Sequence, residues 1–541
     1  MIDSILQTIQ TEIQQIIKQT VDINFEIPKE ENFGDYSTNI AMKLAKEWKK
    51  SPIIIANEIV SKINLAACHL KKCEIAGPGF INFFIDRTHL SKVIYKIIAE
   101  KNNYGNLKIG NENINLEFVS ANPTGYLHIG HGRGAAYGDS LARILKKAGF
   151  TVTKEHYVND AGNQIHNLAH SIYERYKEIQ GLDCQLHEDD YHGKEIIVVA
   201  KQIFNEVGDA YLSQPWFEYF RDYGTNYLLD GLKKDLKKFH VEFDVWFSER
   251  SLYENKAVEK TLQFLIDEGF TYEKDGAVWL KTTLFKDEKD RVLVKSDKSY
   301  TYLTPDIAYH ANKLNRGFDR LIDVLGADHH GYIERLKAAI ACLGKSPEQI
   351  DIEILQMVRV IQDGVELKMS KRSGKAITLR DLMDEIGTDA LRYMYAAKAL
   401  STPMDLDLDL ALKQTNENPV YYIQYAYARI ASLFRTYEEM GLKWQLPSDF
   451  IEIDLDKLDK LILLLAQYPL IIKEAALKRI PHKIAQYCYQ LAAALHYYYN
   501  DEKIITENSR DTVEKLSVLK AVQIVLKNSL DLIGVNVKEK M

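Results

Sequence analysis

Two histidines at the start of a predicted helix are the first residues in this chain whose types and spacing suggest chemistry. His128 and His131 lie three positions apart, with Gly130 and Gly132 beside them. A helix N-terminus carries a partial positive charge, and glycine lets the backbone come close to a nucleotide there. Both imidazoles can face one phosphate, so the pattern is typical of a site that stabilises negative charge developing on an α-phosphate. The glycine spacing matches neither the dinucleotide fingerprint nor the P-loop.

A cationic segment far along the chain is the second candidate. Residues 365–375 contain four Lys or Arg side chains within eight positions. The segment lies between a predicted strand and the start of a predicted helix at Thr378. A mobile loop at such a place can close over a triphosphate. The sequence therefore predicts a nucleotide-binding loop here.

The two segments together resemble the signature motifs of the class I aminoacyl-tRNA synthetases. The first reads HIGH at 128–131, and the second reads KMSK at 368–371, about 240 positions later. Further segments, spread over the whole chain, resemble one branch of that class, the arginyl-tRNA synthetase family. They are GDY at 34–36, GPGF at 77–80, ANPTG at 121–125, YVNDAGNQ at 157–164, GADHHGY at 326–332 and NENPVYY at 416–422.

The resemblance implies a two-step reaction. Arginine attacks the α-phosphate of Mg-ATP to give arginyl-adenylate and pyrophosphate, and the terminal ribose of tRNA(Arg) then takes the arginyl group. The implied partners are therefore ATP, L-arginine and tRNA(Arg). Mg²⁺ is expected to arrive with ATP rather than in a cage built by the protein.

The same resemblance assigns residues to the nucleotide. The paired histidines stabilise the first transition state, and the lysines of the second motif neutralise the departing pyrophosphate. The implied catalytic set is His128, His131, Lys368 and Lys371. ATP is contacted by the same histidines and by Gly130, Gly132, Met369 and Ser370. Many members of the family lack the last lysine of this motif, and its presence here leaves open whether arginine activation waits for tRNA.

Arginine recognition requires acceptors around one plane, because a guanidinium presents five donors in a flat fork. Glu249, Tyr302 and Asp306 supply such acceptors, and they resemble the family's guanidinium contacts. A pocket that fills every guanidinium hydrogen bond rejects lysine by roughly 10⁴-fold, because a buried carboxylate left unpaired is costly. Glu117 and Asn122 resemble the family's residues near the α-amino and carboxylate end of arginine. His329 occupies a place where some relatives have glutamine.

Aromatic residues are candidates for contacts with unstacked tRNA bases. Tyr421 and Tyr422 open the last predicted domain, with Tyr425 and Tyr427 on the same helix. The resemblance implies that this domain recognises the anticodon. It also implies that the N-terminal domain, which contains Phe80, recognises the corner of the tRNA that the D-loop forms. Which tyrosine stacks on a base stays open.

Two other functions stay open at this point. The chain could be a class I synthetase for lysine, cysteine or glutamate. A cysteine enzyme needs a thiolate-binding zinc site that the sequence lacks, and a lysine enzyme does not need both Glu249 and Asp306. The chain could instead be an inactive tRNA-binding paralogue or an assembly scaffold, although the intact signature motifs argue against this.

The elements that must position these residues alternate between strand and helix. An extended run at 114–119, the glycine-rich turn, a helix and a strand at 151–158 predict a βαβ unit and therefore a parallel sheet. Residues 165–240 predict a helical insertion, and 321–326 and 352–361 predict later strands of the same sheet. The predicted fold is α/β, with a Rossmann-like parallel-sheet catalytic core, a small N-terminal α+β domain and a C-terminal all-α bundle. The predicted domains are 1–105, 106–395 and 396–541.

Composition agrees with a folded chain of three or four domains. The 541 residues are 46% apolar, and the net charge of −7 argues against binding nucleic acid through overall basicity. Five scattered cysteines predict reduced thiols in a cytosolic protein. The first residues are typical of neither a leader peptide nor a membrane span. The family resemblance implies a monomer. Without an H-E-x-x-H word, no metal site is predicted from His166, His170, His187 and His192.

Overall fold

The computed structural model describes residues 1–28, 30–367, 377–451 and 453–541. Its N-terminal region is a small sheet covered by helices. The elements are α1 (Ile2–Ile17), β1 (Tyr36–Thr38), α2 (Ile40–Trp48), α3 (Pro52–Val60), β2 (Leu70–Ala76), β3 (Phe80–Ile85), α4 (Arg87–Leu90) and α5 (Val93–Glu100). The strands are antiparallel in the order β1-β3-β2. Isoleucines three or four residues apart give α1 one buried stripe, which packs into the core.

A five-stranded parallel sheet forms the centre of the molecule. The elements of this region are β4 (Asn113–Glu117), α6 (Ile129–Ala148), β5 (Thr151–Val158), α7 (Asn163–Ile179), α8 (Lys194–Val207), α9 (Phe217–Lys238), β6 (Val245–Ser248), α10 (Arg250–Glu254), α11 (Ala257–Asp267), β7 (Thr271–Lys274), β8 (Ala277–Leu280), β9 (Arg291–Val294), α12 (Leu303–Asn315), β10 (Arg320–Gly326), α13 (Ile333–Cys342) and β11 (Ile350–Leu355). The sheet order is β11-β10-β4-β5-β6, and each neighbouring pair is parallel. Because β5 and β6 lie on one side of β4, and β10 and β11 on the other, the strand order reverses at β4. Open α/β sheets bind their ligands at the carboxyl ends of the strands beside such a switch point.

Two excursions leave this sheet. The helices α7, α8 and α9 form the predicted insertion between β5 and β6, and they pack around a cluster of their own that includes Leu168, Ile196 and Phe220. The strands β7, β8 and β9 form an antiparallel sheet between β6 and β10.

The segment 352–361, predicted as one strand of the parallel sheet, is two strands in different sheets. After β11 the chain enters β12 (Val358–Gln362) and β13 (Val365–Glu366). These two strands are antiparallel, and β12 also pairs in parallel with β14 (Met404–Asp407). The prediction of a continuous strand was wrong, because the chain turns at Gln356 and Met357.

A buried arginine holds that turn. Arg133, on α6, is 1% exposed. Its guanidinium donates to the carbonyls of Gln356 and Met357 at 2.9 and 3.3 Å, and to those of Ala399 and Thr402 at 2.7 Å each. One side chain therefore ties the strand break to the segment that precedes β14.

The last part of the chain is helical, as predicted. Among the described residues, no helix combines the length and apolar character needed to cross a bilayer. The helices are α14 (Leu379–Ile386), α15 (Thr388–Ala396), α16 (Leu408–Leu412), α17 (Pro419–Glu439), α18 (Asp459–Lys478), α19 (His482–Asp501) and α20 (Ser509–Leu532).

A second buried arginine joins the C-terminal end to the core. Arg392, on α15, donates to the carbonyls of Ile533 and Phe239 at 2.9 Å each, and to the Asp139 carboxylate at 2.8 Å. Burial alone would raise the pKa of Asp139, but this and neighbouring cations lower it below its usual value. The chain turns at Gly534 with φ of 68°, and a Cβ there would lie 2.3 Å from the guanidinium. The C-terminal turn is therefore built around this side chain.

Candidate active site

A cleft of about 510 Å³ opens at the carboxyl ends of β4, β10 and β11, beside the switch point. The first turn of α6, the end of β10 and the turn between β11 and β12 form its walls. Val119, which lines it, and Ser120 have φ of 70° and 38°. Side chains other than glycine rarely adopt such φ values, and strained backbone of this kind clusters at functional sites. The backbone at the end of β4 is therefore strained where the chain borders the cleft.

The two histidines lie on the first turn of α6 and line this cleft. Their rings stack with centroids 3.6 Å apart. The His128 Nδ1 accepts from the backbone N–H groups of Gly130 and His131 at 3.1 and 3.4 Å, and the His131 Nδ1 accepts from the backbone N–H of His128 at 3.3 Å. Because Nδ1 is the acceptor in both rings, Nε2 carries the proton in the neutral forms. That tautomer gives each ring a donor, which is what a phosphate oxygen requires.

The glycines of this helix have two different surroundings. Gly130 lines the cleft next to the His128 ring. Gly132 instead faces Leu379, and a Cβ on it would lie 2.8 Å from that side chain. Glycine normally weakens a helix interior, but here its lack of a side chain lets α6 and α14 meet. The structure thus gives Gly132 a packing role.

The lysine-rich loop cannot be placed directly, because Lys368, Met369, Ser370 and Lys371 lie outside the described residues. Both chain ends that lead into it lie next to the cleft. On one side, Leu367 donates to the Val360 carbonyl at 2.9 Å, at the end of the β12–β13 hairpin. On the other, the Leu379 N–H donates to the Leu127 carbonyl at 2.7 Å, and Thr378 forms a β-bridge with His128. The described residue Thr378, which follows the second signature in the sequence, therefore lies beside the first signature.

Glu249, directly after β6, lies near Asp306 on α12, and these two acids are the predicted guanidinium pocket. Glu249 is 9% exposed. Burial, with repulsion from Asp160 and Asp306, raises the pKa of Glu249 to about 7, against hydrogen bonds from Tyr157 and Tyr253. The Asp306 carboxylate therefore lies close enough to Glu249 to disfavour its ionisation, and a cation bound between the two would relieve that repulsion.

Two side chains, Tyr332 and His310, contact the Asp306 carboxylate. The Tyr332 hydroxyl donates to its Oδ2 at 2.5 Å. The His310 Nδ1 lies 2.8 Å from the Asp306 backbone carbonyl and 3.1 Å from the carboxylate Oδ1. Burial lowers the pKa of His310, but the nearby Asp306 and Asp323 have the larger effect and raise this pKa to about 10. The ring is therefore a cation at neutral pH and can donate from both nitrogens.

Glu117 ends β4 and is bound by a buried lysine that the sequence analysis missed. The Lys313 Nζ donates to Glu117 Oε2 at 2.5 Å and to Asp323 Oδ1 at 2.8 Å, and the Ser120 hydroxyl donates to Glu117 Oε1 at 2.7 Å. Burial raises the pKa of Glu117, and Lys313 partly offsets this. The helical spacing of His310 and Lys313 after Asp306 was the available signal, because it puts all three on one face of α12.

The structure does not place the other predicted arginine contacts, Asn122, Tyr302 and His329, against Glu249 and Asp306. The Asn122 amide donates to Gln164 Oε1 at 2.5 Å, at the start of α7. Tyr302 is 86% exposed, just before α12. The side chain of His329 is outside the described part of the structure.

The predicted tRNA contacts lie in two separate regions. The Tyr422 ring packs against His496 and Tyr489, with centroids 4.4 and 5.4 Å apart, and Tyr421 stacks near Tyr425 at 6.3 Å. His496 is buried, whereas these tyrosines are at least partly exposed on α17 and α19, so the tyrosines can meet bases from outside. Phe80 begins β3 in the N-terminal sheet, where it pairs with Ala76.

One group of residues in the insertion has the composition of a metal site. Ligand atoms of His170, His187 and Asp190 lie within 4.8 Å of one another. The two rings stack face to face, with centroids 4.4 Å apart and planes 3° apart. Nearly parallel stacked rings do not direct their nitrogen lone pairs at one nearby point, as a shared metal ion requires. The Asp190 Oδ2 accepts from the His187 backbone N–H at 2.6 Å and lies 2.8 Å from the His170 Nδ1. These contacts fasten the loop before α8 to α7.

Three family models match successive parts of the chain. The arginyl tRNA synthetase N-terminal domain matches residues 3–85, and the catalytic domain of the class I (R) tRNA synthetases matches residues 93–402. The DALR anticodon binding domain matches residues 423–541. The chain belongs to the arginyl-tRNA synthetase family.

Members of this family are similar over nearly the whole chain. The arginine–tRNA ligase of Bacillus subtilis (strain 168) is 51% identical over 528 residues, which are 97% of this chain and 95% of that one. The arginine–tRNA ligase of Shouchella clausii (strain KSM-K16) is 51% identical over 521 residues, covering 95% and 94%. The structure of Thermus thermophilus arginyl-tRNA synthetase covers 99% of this chain and 100% of its own, with a TM-score of 0.76 at 20% identity, which shows a shared fold. The resemblance and the fold class predicted from the sequence are confirmed.

Proposed function

We propose that this protein activates L-arginine with ATP and transfers it to the 3′-terminal ribose of tRNA(Arg). One observation carries the proposal. A cleft lined by paired histidines opens beside the switch point of the sheet, and Glu249, with Asp306 near it, follows β6 at the same carboxyl edge of the sheet. A nucleotide and a flat cation can therefore meet at one edge of the sheet.

In the first step, the arginine carboxylate attacks the α-phosphate of ATP, and pyrophosphate leaves. His128 and His131 donate hydrogen bonds to the phosphate whose charge rises, and Lys368 and Lys371 neutralise the pyrophosphate from the loop. The residues that line the described cleft include no carboxylate. Mg²⁺ is therefore held chiefly by the ATP phosphates, as this ion, which keeps much of its hydration, commonly is. In the second step the tRNA ribose hydroxyl attacks the arginyl carbonyl and AMP leaves.

Arginine is selected over lysine by the two carboxylates of the acidic pocket. Glu249 and Asp306 together offer acceptors to a planar fork of donors, whereas an ammonium cannot bond both sides. Glu117 and Asn122 are assigned to the α-amino and carboxylate end, with Tyr302 and His329 completing the pocket when arginine is bound. Discrimination of roughly 10⁴-fold follows from leaving a buried carboxylate unpaired, so no editing site is needed.

The tRNA is assigned to the two flanking regions. Residues 1–105, with Phe80, bind the corner formed by the D-loop, and residues 396–541, with Tyr421 and Tyr422, bind the anticodon. Residues 106–395 form the catalytic domain. The protein acts as a monomer in the cytoplasm, in keeping with its family and its five free thiols.

Charging of tRNA with labelled amino acids tests this function. Arginine is expected to be transferred to total tRNA, and lysine, cysteine and glutamate are not. Exchange of pyrophosphate into ATP, measured with each amino acid and with tRNA present, checks the first step separately. Exchange with lysine but not arginine would point to another class I synthetase, and no exchange at all would point to a tRNA-binding scaffold. The Asp306→Asn variant serves as the control for pocket-dependent activity.

A further inference from the structure

One face of α12 packs against side chains of the parallel strands β10, β4 and β5. Asp306, Tyr309, His310, Lys313 and Arg316 occupy this face, at helical spacing. Their partners lie on three neighbouring strands and on the turn before α13. The helix therefore places a row of charged groups between the sheet and the proposed arginine pocket.

Asp323 lies at the centre of this row. It is on β10, in register with Glu117 on β4, and it is 2% exposed. Its two oxygens accept from Lys313 Nζ and from His310 Nε2, at 2.8 Å each. The same Lys313 Nζ also donates to Glu117, and the other ring nitrogen of His310 lies 2.8 Å from the Asp306 backbone carbonyl and 3.1 Å from the Asp306 carboxylate. Glu117 and Asp306 are both assigned to arginine. Asp323 thus connects the two ends of the proposed substrate without facing the pocket.

The charges of this group do not cancel. Three carboxylates, Glu117, Asp306 and Asp323, face two cations, Lys313 and His310. The neighbouring Glu155 on β5 is already paired with Arg316 at 2.7 and 2.8 Å, and Tyr332 adds only a neutral donor. With all three acids ionised, one negative charge remains, and the ionised form of Glu249 at the end of β6 adds another. A cationic substrate compensates these charges and favours the ionised acids.

We propose that Asp323 is a positioning residue for arginine. Through Lys313 it fixes the Glu117 carboxylate, and through His310 it fixes the Asp306 carboxylate, so that one buried side chain sets the distance between the two ends of the pocket. Substrates that share the guanidinium and the α-amino group at the arginine spacing fit it, and shorter or longer homologues do not. This role rests on the proposed function.

The Asp323→Asn variant tests the role, because it keeps the shape of the side chain and removes its charge. Pyrophosphate exchange is measured with tRNA present. The KM for arginine is expected to rise by about tenfold or more, while the KM for ATP and kcat stay within about threefold. A merely structural side chain would lower the amount of folded enzyme and leave the arginine KM unchanged.

The matched control is Asp351→Asn on the neighbouring strand β11. Asp351 also accepts from two cations, Arg479 at 2.5 Å and Arg320 at 2.6 Å, and its contacts are away from the pocket. The Asp351→Asn variant is expected to lose as many ion pairs as Asp323→Asn and to keep the wild-type KM for arginine. An equal rise in arginine KM in both variants would overturn the assignment.

A second variant covers the case in which Asp323→Asn does not fold. His310→Gln keeps a donor for Asp323 but removes the charge that meets Asp306, and it is expected to raise the arginine KM in the same selective way. An unchanged arginine KM in the folded variants overturns the inference about Asp323 alone. Absence of arginine-dependent exchange in the wild-type protein overturns the proposed function instead.

Discussion

Lowering the pH below 7 is expected to weaken arginine binding through one side chain, Glu249. Burial and the nearby Asp160 and Asp306 carboxylates raise the pKa of Glu249 to about 7. A carboxyl with a raised pKa takes up its proton as the pH falls through that value, and the protonated form cannot pair with a guanidinium. His310 has a pKa of about 10, so it stays charged throughout this range.

The size of the effect follows from that pKa. If only the ionised form of Glu249 binds arginine, the Kd rises about twofold at pH 7 and about elevenfold at pH 6, relative to its value at high pH. Binding also releases the proton, about half of one per arginine at pH 7 and about nine-tenths at pH 6. Above pH 8 the Kd is expected to be flat.

Titration calorimetry with arginine alone measures both quantities, since the proton release is read from two buffers of different ionisation enthalpy. Glu249→Gln is expected to bind weakly at every pH and to release no proton. Asp160→Asn is the matched control, because it removes a charge that raises the Glu249 pKa. Its amide oxygen can still accept from the Arg250 N–H, and its amide nitrogen, in place of the other carboxylate oxygen, can donate to the Ser248 hydroxyl. Its pH step is expected at a lower pH. A Kd that does not change between pH 8 and pH 6, or that changes equally in Glu249→Gln, would refute the reasoning.

Three further predictions concern the walls of the site. His131→Ala is expected to slow adenylate formation by about 10²-fold in rapid-quench measurements, with less than about a twofold change in the arginine Kd; equal losses in both would count against its role at the phosphate. Asp306→Ala is expected to raise the arginine KM in pyrophosphate exchange by about 10²-fold and to leave the ATP KM near wild type; an ATP KM that rises in parallel would contradict this. Arg133→Met leaves the carbonyls of Gln356 and Met357 without their donor, so chemical denaturation should show a loss of about 1–3 kcal/mol, together with a raised ATP KM; wild-type stability would show that this arginine does not hold the turn.

The parts of the fold that follow local rules could be predicted from the sequence. The strand before residue 118, the glycine-rich turn and the helix that begins at Ile129 show clear periodicity and punctuation, and the structure contains them in that order. The break at Gln356 could not be predicted, since the donor that holds it is Arg133, more than 200 residues earlier. A contact over that distance leaves no local pattern.

The candidate site divides in the same way. His128 and His131 are adjacent because of a single helical turn, so their spacing alone brings them together. Glu249 and Asp306 come from the ends of different elements, and the resemblance rather than any periodicity linked them. Lys313 was missed, because a lysine on an amphipathic helix usually faces water, and only the parallel sheet turns this one toward buried acids.

The turn around Arg392 means that Ile533 and Gly534 are interior structure. The Ile533 carbonyl and the tight bend at Gly534 enclose a guanidinium that also binds Phe239 and Asp139 from the catalytic part. Truncating the chain near residue 402 would remove the Ile533 carbonyl, which accepts a hydrogen bond from the buried Arg392 guanidinium. Exchanging the helical bundle for that of a relative must therefore keep this bend.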